Sequence, residues 1–203
     1  MLLWRDFVAH TGGAFCLRCG RTGSRLCESC APDGILRLAT PPDIEVAVAR
    51  WSYDGAVRQL ILDLKLRGAR ASADPLIRGL REAAIGGRLS GRTITWVPGR
   101  KRDLWNRGFD HAEMLARGVG AELGLPARPL LRRIATAPDQ SGLSATERLV
   151  NLKGVFQAAP CPERVVLVDD VITTGATLIA CAAALKKGGA VTIEALVVAR
   201  TEH

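Results

Sequence analysis

Apolar residues alternate with other types at Ile44, Val46 and Val48, so the pattern predicts a strand over residues 44–53. Asp54-Gly55 then turns the chain. Val57, Leu60, Ile61 and Leu64 follow at helical spacing and form one apolar face. A second helix is expected over 73–84. Short apolar runs at 93–97, 165–168 and 191–199 predict further strands, separated by helical periodicity over 109–123 and 176–187. Strands alternating with helices of about a dozen residues call for right-handed crossovers, which give an α/β fold with a largely parallel sheet flanked by helices. Ligands of such sheets sit beyond the carboxyl ends of the strands, so the segments after Val97 and Val168 are where chemistry is expected. Residues 1–10 carry Leu3, Phe7 and Val8 along one side of a short amphipathic helix.

Composition narrows the class. The chain has 203 residues, of which 48% are hydrophobic and 24% charged, a balance that excludes global disorder. The longest uncharged run, 171–185, contains Thr173, Thr174, Gly175 and Thr177 and falls short of the roughly 20 apolar residues of a membrane span. No membrane insertion is expected. Leu2-Leu3-Trp4 is interrupted at once by Arg5 and Asp6, so a signal peptide is not expected and the cytoplasm is the expected compartment. The net charge is +8, and the stretch from Arg50 to Arg107, with thirteen basic and five acidic residues, accounts for all of it. A basic middle points to a polyanion or a phosphate-rich ligand; scattered surface arginines are the alternative.

Four of the six cysteines form C-x2-C-x7-C-x2-C: Cys16, Cys19, Cys27 and Cys30. Two tight turns that each aim two thiolates at one point suit tetrahedral zinc, against the alternatives of an iron-sulfur centre, a redox pair or idle thiols. Four protein ligands would leave no open position for water or substrate, so the expected role is structural. Gly20 is placed for the left-handed backbone that lets amides turn toward sulfur. The expected organisation is an amino-terminal segment over 1–38 with its knuckle at 16–30, a stiff Thr40-Pro41-Pro42-Asp43 linker, and one domain over 43–203. Cys161 and Cys181 have no partner spacing and read as small hydrophobes.

The most informative stretch runs from Val165 to Thr177. A buried strand delivers Asp169 and Asp170 to its end, and Thr173, Thr174, Gly175, Ala176 and Thr177 then open a helix. Amides at a helix start hold a phosphate; Gly175 permits close approach and the threonines add hydroxyls. Two carboxylates just upstream suit sugar hydroxyls and magnesium. Sugar beside phosphate implies a phosphorylated ribose.

That stretch resembles the phosphoribosyl pyrophosphate (PRPP) motif of type I phosphoribosyltransferases. The cysteine knuckle, Tyr53-Asp-Gly-Ala-Val-Arg58 with Leu64-Lys65 and Gly68, Arg107-Gly108-Phe109 with Ala112-Glu113 and Leu115-Ala116, and Thr136, Gln140, Gly142-Leu143, Glu147-Arg148 and Asn151-Leu152 narrow the resemblance to the competence protein F (ComF) family. The resemblance implies a type I phosphoribosyltransferase-like fold with a small zinc knuckle. It implies Asp169 and Asp170 on the ribose hydroxyls as catalytic residues, and Thr173 to Thr177 on the 5-phosphate. A pyrophosphate loop is implied over 98–107, with Pro98, Gly99, Arg100, Lys101, Arg102 and Arg107 at the diphosphate with magnesium. A closing loop is implied over 135–148. Two departures stand out: Val97-Pro98-Gly99-Arg100 where the family reads Val-Pro-Val-Pro, and Asp110-His111 where it reads Asn-Gln. A carboxylate at Asp110 is expected to repel a nearby diphosphate, whereas His111 can carry a proton near neutral pH. The expected function is magnesium-dependent binding of PRPP or a related phosphoribosyl ligand, with transfer to an acceptor. The alternatives are an accessory protein of DNA uptake that contacts single-stranded DNA or a competence helicase, with Trp51, Tyr53, Trp96, Trp105 and Phe109 as stacking candidates, and a regulator that keeps the pocket as a sensor.

Overall fold

The structure, a computed structural model, describes residues 14–134, 152 and 154–201. Seven strands are present among them: β1 (Leu36–Arg37), β2 (Val46–Ser52), β3 (Thr93–Trp96), β4 (Leu131–Arg133), β5 (Phe156–Ala158), β6 (Arg164–Ile172) and β7 (Thr192–Arg200). Five helices accompany them: α1 (Gly55–Arg67), α2 (Ala73–Gly86), α3 (Lys101–Arg107), α4 (His111–Leu123) and α5 (Ala176–Lys187). The main sheet has the order β1-β2-β7-β6-β3; β1 is antiparallel to β2 and every other pairing is parallel. β4 and β5 form a separate antiparallel pair.

Alternation along β6 builds both halves of the core. Val166 and Val168 pack with α1, α2 and α4 on one face, while Val165 and Leu167 pack with α5, β4 and β5 on the other. Central strands buried on both sides read as near-continuous apolar runs, as parallel sheets require. Cys181 is fully buried within α5. Among the described residues no helix is long and apolar enough to cross a membrane.

Three features differ from the sequence expectation. The expected strand over 165–168 continues to Ile172, so the acidic pair lies inside β6 and not beyond it. Helix α3 occupies most of the expected loop over 98–107; Arg102 and Trp105 on it are exposed, so it lacks the apolar period that announces a helix. The β4–β5 pair was not anticipated, because three-residue strands carry too little alternation to see. The expected helix over 1–10 and the expected closing loop over 135–148 lie outside the described residues.

The cysteine segment packs onto the domain. Leu26 is 2% exposed and belongs to the α1–α2–α4 core. Arg25 pairs with the buried Asp63 of α1, which also accepts from Gln59 at 2.7 Å and from Arg67. Trp51 of β2 donates its indole N–H to Pro32 O at 3.0 Å, and Arg78 of α2 donates to Ser24 Oγ at 2.9 Å.

Candidate functional site

Two constellations stand out. In the first, the sulfurs of Cys16, Cys19, Cys27 and Cys30 all lie within 4.8 Å of one another, with Cys19 and Cys27 Sγ 3.7 Å apart. The turns explain the gathering. Gly20 N–H closes onto Cys16 O at 2.9 Å with Gly20 at φ 72, and Cys30 N–H closes onto Cys27 O at 2.9 Å in a single 3-10 turn. Backbone amides of Cys27 and Cys19 lower the Cys16 thiol to about 6, whereas the neighbouring Cys19 and Cys27 thiols push Cys30 up to about 12. Four sulfurs this close ionise together only around a cation, and the donor set fits a tetrahedral metal such as zinc.

The second constellation forms at the carboxyl end of β6. A cavity of about 60 Å3 is lined by Asp169 and by the turn that includes Thr173, Thr174, Gly175, Ala176 and Thr177. Gly175 precedes α5 at φ 76, a conformation other residues rarely adopt, and contributes no side-chain cap. The first amides of α5 therefore face the cavity with the positive end of the helix dipole, the arrangement that holds a phosphate.

The neighbouring carboxylates part ways. Asp169 lines the cavity on the α5 face, and its Oδ1 accepts the Asp170 amide at 2.8 Å. Asp170 turns to the opposite face and is 4% exposed. Its Oδ2 accepts from Lys65 Nζ of α1 at 2.8 Å and from His111 Nε2 of α4 at 3.0 Å. Burial, and then the charge of Asp170, push Asp169 up to about 8. Burial acts on Asp170 too, but Lys65 and His111 overcome it and hold Asp170 below the ordinary carboxylate range. Burial likewise works against the Lys65 ammonium, and the Asp170 charge outweighs it and raises Lys65. Neither Lys65 nor His111 was expected at the site. Lys65 stands 105 residues before Asp170, and no spacing rule joins the two.

The expected pyrophosphate residues follow β3, next to β6. Gly99 N–H donates to Asp110 Oδ2 at 3.0 Å, and Asp110 Oδ1 accepts from Ala112 N at 2.9 Å as the cap of α4. The expected repulsive carboxylate is thus a helix cap that also ties down the loop. Pro98 is partly buried, Arg100 is exposed ahead of α3, and Lys101, Arg102 and Arg107 lie on α3. Much of the basic middle is engaged within the molecule: Arg50 with Glu82, Arg67 with Asp63, Arg81 with Glu122, and Arg70 stacked on Phe109. Of the stacking candidates, Trp51 and Trp96 are core residues, whereas Trp105 is 90% exposed.

A phosphoribosyl transferase domain family matches residues 112–203. With the parallel sheet and the turn before α5, this defines a protein of the phosphoribosyltransferase fold. "DNA utilization protein YhgH" of Escherichia coli O6:H1 is 32% identical over 204 residues, covering 92% of this chain and 88% of that protein. "Competence protein F" of Haemophilus influenzae is 37% identical over 102 residues, covering 47% of this chain and 44% of that protein. The chain belongs to the ComF family. Among solved structures, glutamine PRPP amidotransferase from B. subtilis aligns with TM-score 0.44 and 19% identity over 62% of this chain and 26% of that one.

Proposed function

We propose that this protein binds PRPP or a related phosphoribosyl ligand, with magnesium, at the carboxyl end of β6. The cavity before α5 carries the reading: hydroxyls, uncapped amides and one carboxylate converge on a space of phosphate size. Thr173, Thr174 and Thr177 with the amides around Gly175 and Ala176 take the 5-phosphate, and Asp169 accepts from a ribose hydroxyl. Pro98 and Gly99 with Arg100, Lys101, Arg102 and Arg107 border the diphosphate. Magnesium fits here through Asp169, whose carboxyl would release its proton to the ion's charge, and through the oxygens of the ligand, since the ion keeps several waters and needs no all-protein cage. The reaction this arrangement supports is displacement of diphosphate at ribose C1 by an acceptor nucleophile. Zinc at Cys16, Cys19, Cys27 and Cys30 is structural in this reading.

Calorimetric titration of PRPP with magnesium tests it. Micromolar binding to the wild type, lost in Asp169→Asn and weakened at least tenfold in Thr174→Val, is expected; absence of binding to folded wild-type protein overturns it.

A second reading, an accessory role in DNA uptake at a single strand or its helicase, is favoured by Trp105, 90% exposed on α3 one turn after the exposed Arg102. An aromatic face beside a guanidinium suits stacking and backbone contact. The names of the relatives concern DNA utilization and competence, which supports it. Binding of a labelled single strand that falls with salt and is lost in Trp105→Ala but kept in Asp169→Asn is the expected result; strand binding untouched by Trp105→Ala removes this reading.

A further inference from the structure

We propose that Asp170 is the internal counter-ion that aims Lys65 at the diphosphate end of the ligand, and that Asp169 alone of the acidic pair meets the ribose. The inference rests on the phosphoribosyl reading above and deepens it. A carboxylate offers about four acceptor positions. In Asp170, Oδ2 accepts from both Lys65 and His111, and Oδ1 accepts the Val171 amide at 2.8 Å. At 4% exposure, and with three of those positions filled, the group has little left to offer a sugar. The Lys65 side chain is 39% exposed, so its ammonium reaches the surface from a buried anchor.

The direction follows from the neighbours. Asp170 and Asp169 leave β6 on opposite faces, so Lys65 stands across the strand from the threonine turn and α5. On the Lys65 side, His111 opens α4, and Asp110 just before it holds the Gly99 amide. The Asp170 cluster and the loop after β3 are thereby joined through two consecutive residues. His111 donates through Nε2 and keeps Nδ1 buried without a partner, so its part is to hold the carboxylate in place. An ammonium on that side meets the diphosphate and not the 5-phosphate. Asp170 and His111 are positioning residues that act through Lys65.

Paired calorimetry with magnesium-PRPP and with ribose 5-phosphate decides it. Asp169→Asn is expected to lose both ligands. Lys65→Met weakens PRPP at least tenfold and ribose 5-phosphate less than twofold, and Lys65→Arg restores most of the PRPP affinity. Asp170→Asn keeps ribose 5-phosphate within twofold, and in the Lys65→Met background it costs PRPP nothing further. Should Asp170→Asn not fold, the double variant still carries the test, because it leaves no ammonium without its counter-ion. The inference is overturned if Asp170→Asn or the double variant loses ribose 5-phosphate as Asp169→Asn does, or if Lys65→Met weakens both ligands equally. If the wild type binds neither ligand, the phosphoribosyl reading falls instead. The counter-ion role is then read from melting temperature: Lys65→Met should recover part of the loss caused by Asp170→Asn, and strictly additive losses overturn it.

Discussion

The cysteine knuckle and the end of β6 both crowd groups that repel one another when ionised, and they resolve the crowding in opposite ways. The knuckle gathers four sulfurs from fifteen consecutive residues and has almost no core of its own, with Leu26 and Cys16 its buried side chains. Only a cation from outside neutralises it. The β6 site sends its two carboxylates to opposite faces and supplies its own donors, the Lys65 ammonium from α1 and His111 Nε2 from α4. Local sequence can encode the first solution, while the second needs the finished fold. Helix α1 serves both: Asp63 anchors the knuckle through Arg25, and Lys65, two residues on, anchors Asp170.

The sharpest way to break this contrast is to remove the metal. Chelation, or Cys27→Ser, is expected to unfold the knuckle outright, because metal binding supplies the folding energy of such modules. The domain beneath should survive, having lost about 2 kcal/mol with the burial of Leu26. Metal analysis of the purified protein, followed by urea unfolding with and without chelator, measures both. Iron in place of zinc, or an unchanged unfolding curve, contradicts the picture.

The next effect belongs to β6. Folded Asp169 keeps its proton up to about pH 8, while the unfolded chain releases it near 3.8. Its contribution to stability is therefore full below about pH 4 and is lost as the pH rises through 8. Asp170 runs the other way: held below its ordinary range, it contributes above about pH 4 and fades only in stronger acid. With the four cysteines held as thiolates by metal, the slope between pH 5 and 8 belongs to Asp169 and amounts to a few kcal/mol at most. Melting temperatures across that interval should fall with pH in the wild type and flatten in Asp169→Asn; equal slopes would show that Asp169 is solvated.

The same contrast explains what could be read in advance. The knuckle was legible to the residue, because ligand spacing and turn chemistry are both local. So were β2, from its alternation, and α1, α2, α4 and α5, whose apolar periods persist for two turns or more. The threonine turn was legible as a set, since hydroxyl residues and a glycine between a strand and an apolar helical run mark a helix start. What escaped was long-range pairing. Asp170 looked like the twin of Asp169 because strand alternation was not carried through the end of β6, which had been stopped at Val168. Lys65 and His111 meet only after two crossovers bring α1 and α4 to one face of the sheet. Asp110 was read as a charge near a diphosphate, when its place before Ala112 and Glu113 already marked it as a cap.

A smaller effect tests whether α1 transmits between the two regions. Asp63→Ala leaves Arg25 without its acceptor and should cost about 2 kcal/mol in urea unfolding, the price of stranding a partly buried charge. The zinc content expected at the four cysteines should remain unchanged, because Asp63 is not one of the four proposed ligands. PRPP affinity should fall by a factor of a few, as the last turn of α1 loosens around Lys65. Unaltered affinity would mean that the knuckle and the site are independent despite sharing a helix.

The smallest effect separates the two jobs of Asp110. One oxygen caps α4 at Ala112 and Glu113, and the other holds the Gly99 amide. Asparagine has a single side-chain oxygen, so it can keep the cap or the loop contact but not both. Asn and Asp cap helices about equally, and the cap favours the oxygen staying with α4. Asp110→Asn should therefore unfold within about 0.5 kcal/mol of the wild type, whereas Asp110→Ala should lose about 1 kcal/mol. PRPP affinity should change in both, since both release Gly99 in the loop proposed to border the diphosphate. Equal stability of the two variants would remove the cap from this account. Unchanged affinity in Asp110→Asn would show that the hold on the Gly99 amide does not shape the ligand site.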